Sequence, residues 1–260
     1  MTVRAERKAQ AAQPREKKRL DVLLVERGLF PSREKAAASV MAGVVHVNGM
    51  RELKAGVRCG NDAEIEVTEV ALKYVSRGGL KLEKALDVWN IDLTDKVAAD
   101  IGASTGGFTD LMLQSGAAKV YAIDVGYGQL DWKLRNDPRV VNIERTNIRY
   151  LDRALIAEPP DFISIDVSFI SLRLVLPVAV DILARGGRIV ALIKPQFEAE
   201  RGQVGKKGIV RDAAVRTETV EKVKGYAAAN GLAAVDVIES PITGAKGNVE
   251  FLGYFIREAE

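Results

Sequence analysis

Among 260 residues there is one cysteine, Cys59, and one histidine, His46. A single cysteine excludes an intramolecular disulfide and leaves a cysteine-based metal site without ligands, which suits a reducing compartment. A single histidine removes Ser-His-Asp catalysis and histidine-rich metal centres as general schemes, and no metal is expected. Long apolar runs are also missing. The best stretch, Leu172 to Ala184, is interrupted by Arg173, Pro177 and Asp181, and it falls short of the roughly 20 residues needed to span a bilayer. The N-terminus is basic and Ala/Gln-rich, without the apolar centre of a signal peptide. These absences describe a soluble, cytoplasmic protein with no stable membrane insertion.

What is present is apolar enough to fold: 47% of residues are hydrophobic, which argues against wholesale disorder. The net charge is only +3, but it is unevenly placed. Arg4, Arg7, Lys8, Arg15, Lys17, Lys18 and Arg19 face only Glu6 and Glu16 in the first nineteen residues. Residues 1–17 are read as a basic, disordered tail that either attracts a polyanion or is merely solvated. Leu20, Leu23 and Leu24 recur at helical spacing before Gly28, and Ser32 is placed to cap a second helix with Ala36, Ala37, Val40 and Met41 on its inner face. Gly43 suits a left-handed helix end. Val45-His46-Val47 alternates as a strand, Asn48-Gly49 is a hairpin signal, and Ala63 to Val67 is a further strand. His46 is read as a hairpin side chain.

The run Arg19-Leu20-Asp21, Gly28-Leu29, Ser32-Arg33, Ala36 and Gly43-Val44-Val45-His46-Val47-Asn48-Gly49 resembles the RNA-binding domain of the ribosomal protein S-four type. The resemblance implies a small α+β domain over 18–67 that offers Arg19, Arg33, Lys35, Arg51 and Lys54 to structured RNA. A linker over 68–75 would lead to a second domain over 76–260.

From Lys96 onward the pattern alternates. Strands are expected at 97–101, 119–123, 140–143, 162–165, 188–194, 233–238 and 251–256, and helices at 108–114, 130–136, 172–184 and 213–229. This rhythm predicts an α/β fold with a mainly parallel sheet covered on both faces. A short connection between the last two strands predicts an antiparallel ending, which separates a Rossmann-like methyltransferase from a dinucleotide dehydrogenase. Asp100-Ile101-Gly102-Ala103-Ser104-Thr105-Gly106-Gly107-Phe108 follows the first of these strands and opens a helix. Its glycines let the backbone turn and approach a ligand, yet its spacing is that of neither a dinucleotide fingerprint nor a phosphate-binding P-loop. Asp124 closes the next strand, where a carboxylate can accept both ribose hydroxyls of an adenosyl group. Asp100 disfavours phosphate and favours a cationic methionine moiety. Either aspartate could instead be a helix cap or turn residue. Asn147 and Arg149 follow the third strand, near the expected adenine. The cofactor set is thus Asp100, Gly102, Ser104, Gly106, Gly107, Phe108, Asp124 and Asn147, for S-adenosyl-L-methionine.

Four further segments complete the picture: Ser76 to Leu82, Ile165 to Phe169, Ile193 to Glu198 and Gly247 to Phe251. Together they resemble the ribose 2′-O-methyltransferases of the FtsJ/RrmJ type, whose Lys-Asp-Lys-Glu tetrad maps onto Lys81, Asp166, Lys194 and Glu250. Gly78-Gly79-Leu80 departs from that group's small residues followed by an aromatic, and Thr105 stands where a proline is frequent. With the N-terminal domain included, the chain from about Lys18 resembles the TlyA family of ribosomal RNA 2′-O-methyltransferases, many of which carry the older label hemolysin. The resemblance implies Lys194 as general base, Asp166 and Glu250 as orienting carboxylates, Lys81 as oxyanion stabiliser, and ribosomal RNA or a ribosomal subunit as partner. Arg201, Lys206, Lys207 and Arg211, between Glu198 and Asp212, suggest a mobile loop at the cleft mouth or a merely solvated one. Three rivals stand beside this reading: a membrane-acting hemolysin, a catalytically silent RNA-binding protein, and a base methyltransferase, whose usual Asn/Asp-Pro-Pro-Tyr motif or nucleophilic cysteine is not found in a fitting place. The oligomeric state is left open.

Overall fold

A computed structural model describes residues 17–30, 32–67, 73–244 and 247–259, and omits the side chains of Ala38 and Ala42. Pro31, the tail up to residue 16 and the first five residues of the expected linker lie outside the described residues. The chain divides into two compact units, 1–71 and 72–260, each described by itself.

In the first unit, strand β1 (Lys17–Arg19) leads directly into helix α1 (Leu20–Glu26), followed by α2 (Arg33–Ala42), β2 (Val45–Val47), β3 (Met50–Arg51), β4 (Arg58–Gly60) and β5 (Ile65–Val67). Helix α1 ends where Gly28, at φ +70°, turns the backbone left-handed and the Gly28 and Leu29 amides donate to Val25 and Leu24 carbonyls. Ser32 caps α2 by accepting from Lys35 N, and Gly43 closes it at φ +72°, as the sequence predicts. Asn48 and Gly49 both take positive φ in the β2–β3 hairpin, and His46 sits on that hairpin opposite Arg51. Leu20, Leu23, Leu24, Ala36, Val40 and Val45 form the buried core. Met41 does not join them. It is 57% exposed, because Ala36 and Val40 already fill the buried stripe of α2 and position 41 falls one step round the helix. The β1–β4 pair was not anticipated, and the last strand starts at Ile65 rather than Ala63.

The second unit begins with helix α3 (Gly78–Trp89) and continues as β6 (Val97–Ile101), α4 (Gly107–Gln114), β7 (Lys119–Ile123), α5 (Trp132–Arg135), β8 (Val140–Ile143), β9 (Phe162–Ile165), α6 (Leu172–Ile182), β10 (Arg188–Ile193), α7 (Pro195–Glu198), α8 (Ala213–Ala229), β11 (Leu232–Glu239) and β12 (Phe251–Arg257). The strands make one seven-stranded sheet in the order β11-β12-β10-β9-β6-β7-β8. It is parallel except for β12, which runs antiparallel to both neighbours. Alternation along each strand feeds two cores. Ala99, Ile101, Ile189, Ala191 and Ile193 pack under Val175, Leu176 and Val223, while Ala98, Val190 and Leu192 pack under Leu82, Ala85 and Met112. Strands buried on both faces are what helices on both sides of a parallel sheet require. The β11–β12 connection is not the short loop expected: residues 240–250 lie between the two strands.

Candidate functional site

The C-terminal ends of β6, β7, β9 and β10 meet at one edge of the sheet, where the strand order reverses between β6 and β9. Ligands of open α/β sheets bind in such a crevice. Two recesses share it. The larger, about 700 Å³, is lined by Gly102, Ser104, Asp124, Val125, Asn147, Arg149, Asp166 and Phe169 among others, a size usual for small-molecule sites. The smaller, about 220 Å³, is lined by Ser76, Gly78, Asp100, Gly102, Ser104, Gly107, Phe108, Asp166, Ser168 and Lys194. Gly102, Ser104, Asp166 and Ser168 border both, so the two recesses adjoin.

The glycines of the 102–107 loop have different reasons to be there. Gly102 sits at φ +90°, and a Cβ on it would lie 2.5 Å from the Asp166 carbonyl oxygen. Only glycine allows the ends of β6 and β9 to approach this closely. Gly107 faces Ser76 Oγ and Gly79 N too tightly for a Cβ, and Gly79 lies against the Tyr74 ring. Gly78-Gly79 therefore has a packing reason: it lets the first turn of α3 rest against that of α4, which directs Lys81 toward the strand ends. Gly106, also left-handed, faces Leu130 and Leu134 and borders neither recess, so its part is to seat α5.

Asp100 is 1% exposed. Its Oδ2 accepts from Thr109 N (2.9 Å) and Thr109 Oγ1 (2.7 Å), and its Oδ1 from Ser164 Oγ (3.1 Å). Ser164 is its direct neighbour across the β6–β9 register. Burial pushes its carboxyl up to about 7, opposed by the hydroxyl and amide hydrogen bonds. Asp100 thus holds the start of α4 and borders the smaller recess at the same time. Asp124 Oδ2 accepts from Ser104 N (2.8 Å) and Oδ1 from Gly126 N (2.6 Å). It is a turn residue on the wall of the larger recess, so the turn and ligand readings are not exclusive. Asn147 accepts from Arg149 N and also lines that recess.

The four ionisable side chains singled out in the sequence converge. Lys194 Nζ lies 2.6 Å from Asp166 Oδ1. Lys81 Nζ lies 2.8 Å from Glu250 Oε2 and 3.9 Å from Asp166 Oδ2. Lys81, Lys194 and Glu250 are buried, at 8%, 8% and 3% exposure, so each charge needs the partner it has. Lys194 and Asp166 line the cleft, whereas Lys81 and Glu250 border neither recess.

Several participants escaped the sequence reading. Ser168 Oγ accepts from Lys194 Nζ at 3.0 Å. Gln196 Nε2 donates to Glu250 Oε1 at 3.3 Å. The Gln196 Oε1 atom is buried and, among the described residues, the only such side-chain atom without a hydrogen-bond partner. Gly244 leaves no room for a Cβ beside the Glu250 carboxylate. Phe169, three residues after Asp166, takes φ +63° and is 91% exposed, its ring 5.1 Å from that of Phe197. An exposed aromatic in a disfavoured backbone region at a cleft mouth was the available signal.

The expected mobile loop is tethered at several points among the described residues. Glu200 and Gln203 form a capping box, Gln203 Nε2 donates to Glu218, Val210 is 2% exposed, and Arg201, Lys206, Lys207 and Arg211 project outward.

In the first unit, the buried Asp21 carboxylate accepts from Arg19 Nε and Nη2 at 2.9 Å and from Arg33 Nη2 at 3.0 Å. These guanidinium groups hold it well below the usual carboxylate range. Both arginines stay half exposed. Arg51 Nε donates to Gly43 O at 2.9 Å, and Lys35 and Lys54 are exposed.

Six parallel strands closed by an antiparallel β12 inserted beside β10, with a glycine loop after the first strand of the sheet, define a Rossmann-like methyltransferase. The chain belongs to the FtsJ-like methyltransferase family, whose model matches residues 74–257. An S4 domain matches residues 18–65. Over 237 residues the chain is 54% identical to YqxC of Bacillus subtilis, named provisionally an rRNA methyltransferase, covering 91% of this chain and 84% of that one. Over 234 residues it is 45% identical to the 16S/23S rRNA (cytidine-2′-O)-methyltransferase TlyA of Mycobacterium tuberculosis, covering 90% and 87%. A solved structure from Streptococcus thermophilus, titled provisionally a hemolysin, is similar at TM-score 0.75 and 49% identity, covering 93% of this chain and 89% of that one. Among the described residues no helix is long and apolar enough to cross a membrane.

Proposed function

We propose that this enzyme uses S-adenosylmethionine to methylate a ribose 2′-hydroxyl of ribosomal RNA. The observation that carries the reading is the closed cluster of Lys81, Asp166, Lys194 and Glu250 beside the glycine loop. S-adenosylmethionine, when bound, supplies an electrophilic methyl group on a sulfonium centre. The adjoining recesses suit such a molecule: Asp124 and Asn147 would hold the adenosyl end in the larger one. Asp100, Gly102, Ser104, Gly107 and Phe108 would hold the methionine end in the smaller one, with Gly106 shaping the loop.

A ribose hydroxyl is a weak nucleophile and has to lose its proton as it attacks. Lys194 Nζ, the amine of the cluster that lines the cleft, is placed to take that proton. Asp166 and Ser168 aim the amine, since both touch it. Lys81, held by Glu250 and set back from both recesses, acts through Asp166: its positive charge beside that carboxylate offsets the negative charge that develops at the hydroxyl. Positioning supplies much of the rate, because no covalent intermediate on the protein is needed. Phe169 offers an exposed ring on which an unstacked base can rest. Arg19, Arg33, Lys35, Arg51 and Lys54 form the RNA-facing surface of the S4 domain, with Asp21 fixing the first two. The relatives' names, an rRNA methyltransferase and a (cytidine-2′-O)-methyltransferase, support the same substrate class.

The test is chemical. A folded ribosomal RNA fragment containing the target should be methylated, and the same fragment with a single 2′-deoxy substitution at that nucleotide should not. Undiminished incorporation into the deoxy fragment would move the acceptor to a base atom.

A further inference from the structure

Asn248 lies two residues before Glu250 and is 3% exposed. Its Oδ1 accepts from Val210 N at 3.1 Å, and its Nδ2 donates to Gly208 O at 2.8 Å. Its own carbonyl accepts from Gly244 N at 2.8 Å. Gly244 is the residue whose missing side chain leaves space for the Glu250 carboxylate. One buried amide therefore ties the segment that presents Glu250 to a segment some forty residues earlier in the chain.

That earlier segment carries two adjacent exposed cations, Lys206 and Lys207. They sit on a tight turn in which Gly208 N donates to Gly205 O and Gly205 N to Ile209 O. Lys207 occupies φ +82°, a region that lysine rarely adopts and that persists only where surrounding contacts impose it. The Asn248 bonds to residues 208 and 210 are such contacts. A solvated loop would have no need of a buried amide clamp or a strained lysine. The chemistry presented outward, two adjacent ammonium groups on an anchored turn of backbone, suits the phosphates of an RNA backbone.

We propose that the Lys206–Lys207 turn is a phosphate-binding element for the RNA substrate, and that Asn248 is a positioning residue that couples this element to Glu250. The inference rests on the RNA methyltransferase reading above. RNA held at the turn and the Glu250–Lys81 pair are then parts of one rigid unit, and docking of the backbone sets the carboxylate for the reaction.

The experiment is a double-mutant cycle in the full-length protein with a ribosomal RNA fragment. Lys206→Ala/Lys207→Ala, both on the surface, should weaken RNA binding several-fold and make the dependence of log K on log salt shallower by about one to two. Affinity for S-adenosylmethionine should stay the same, whereas kcat at saturating RNA should fall, because docking at the turn no longer sets Glu250. Asn248→Ala should raise KM for RNA and also lower kcat, with cofactor affinity retained, and Asn248→Asp, which keeps the acceptor for Val210 N but turns a second acceptor on the Gly208 carbonyl, should not restore either. Combining Asn248→Ala with the lysine changes should cost less in kcat/KM than the product of the separate losses. Additive losses would overturn the coupling, and unchanged RNA affinity and salt slope in the lysine variant would overturn the phosphate element. RNA binding measured without turnover reads the turn independently, so methylation at a base atom would refute the ribose assignment while leaving this test standing.

Discussion

Replacing Asp100 with asparagine should change how stability of the second unit responds to pH. The carboxyl is 1% exposed and its value is pushed up to about 7, chiefly by burial. Because the folded value lies above the unfolded one near 3.8, the folded chain holds a proton that the unfolded chain has lost at intermediate pH. Stability therefore falls as pH rises from about 4 to about 7, and the whole penalty is present above that. At 1.36 kcal/mol per pH unit the full difference is on the order of 4 kcal/mol, of which roughly 2 to 3 kcal/mol develops between pH 5 and 8. Asparagine has nearly the same shape, can accept from Thr109 and can donate to Ser164 Oγ, but it does not titrate. Urea unfolding of both proteins at pH 5, 6, 7 and 8 isolates the effect, since titration of every other group cancels in the difference. The asparagine variant should gain on the parent with each step up to pH 7 and then hold a constant lead. A difference that stays flat across the range would refute the buried, protonated carboxyl.

Lys194→Ala should abolish methyl transfer while leaving cofactor affinity by calorimetry intact; near-normal turnover would remove it as the base. If Asp100 faces the ammonium of bound cofactor, binding at pH 6 should release a proton, seen as a binding heat that varies with the ionisation enthalpy of the buffer, and no buffer dependence would count against that placement. Gly102→Ala should destabilise the second unit by roughly 1–3 kcal/mol, because alanine is strained at φ +90° and its Cβ collides with the Asp166 carbonyl. Thermal unfolding at the parent's transition would argue against a tight β6–β9 approach. Asp21→Asn should cost stability only where Asp21 is ionised: its folded value is depressed, so the parent's advantage is present above about pH 4 and fades as acid protonates the carboxylate. An advantage that persists unchanged to pH 2 would refute that ion triad.

Much of the second unit could be read from residues alone, because its elements carry their own signals. Helix α8 begins and ends where expected, with Asp212 accepting from Ala214 N and Asn230-Gly231 closing the helix. Strands β6, β7, β8 and β9 match their predicted bounds, since continuous apolar runs between turn residues have few alternatives. Helix α3 was not predicted. Gly78-Gly79 at its start lowers helix propensity, and the tertiary reason for it, the Tyr74 ring and the first turn of α4, is invisible locally. Three-residue strands such as β1 and β4 have no periodicity to detect, and they exist because each pairs with the other.

The site divides along the same line. The glycine loop and Asp124 announce themselves through spacing, whereas the meeting of Lys81 with Glu250 spans 169 residues and was accessible only by resemblance to a family. Resemblance transfers the reacting groups but not their supports. Ser168, Gln196 and Asn248 are polar residues of ordinary type in ordinary segments, and their importance rests on hydrogen bonds whose partners lie 26, 54 and 38 or 40 positions away. Such contacts form only once the sheet has brought β10, the 198–212 segment and the approach to β12 to the same edge. The order β12-β10-β9-β6 is thus the physical cause of the site. It places one lysine and one carboxylate at the ends of adjacent parallel strands and brings a second carboxylate in from the antiparallel strand beside them, so that charges too costly to bury singly are buried as mutual partners.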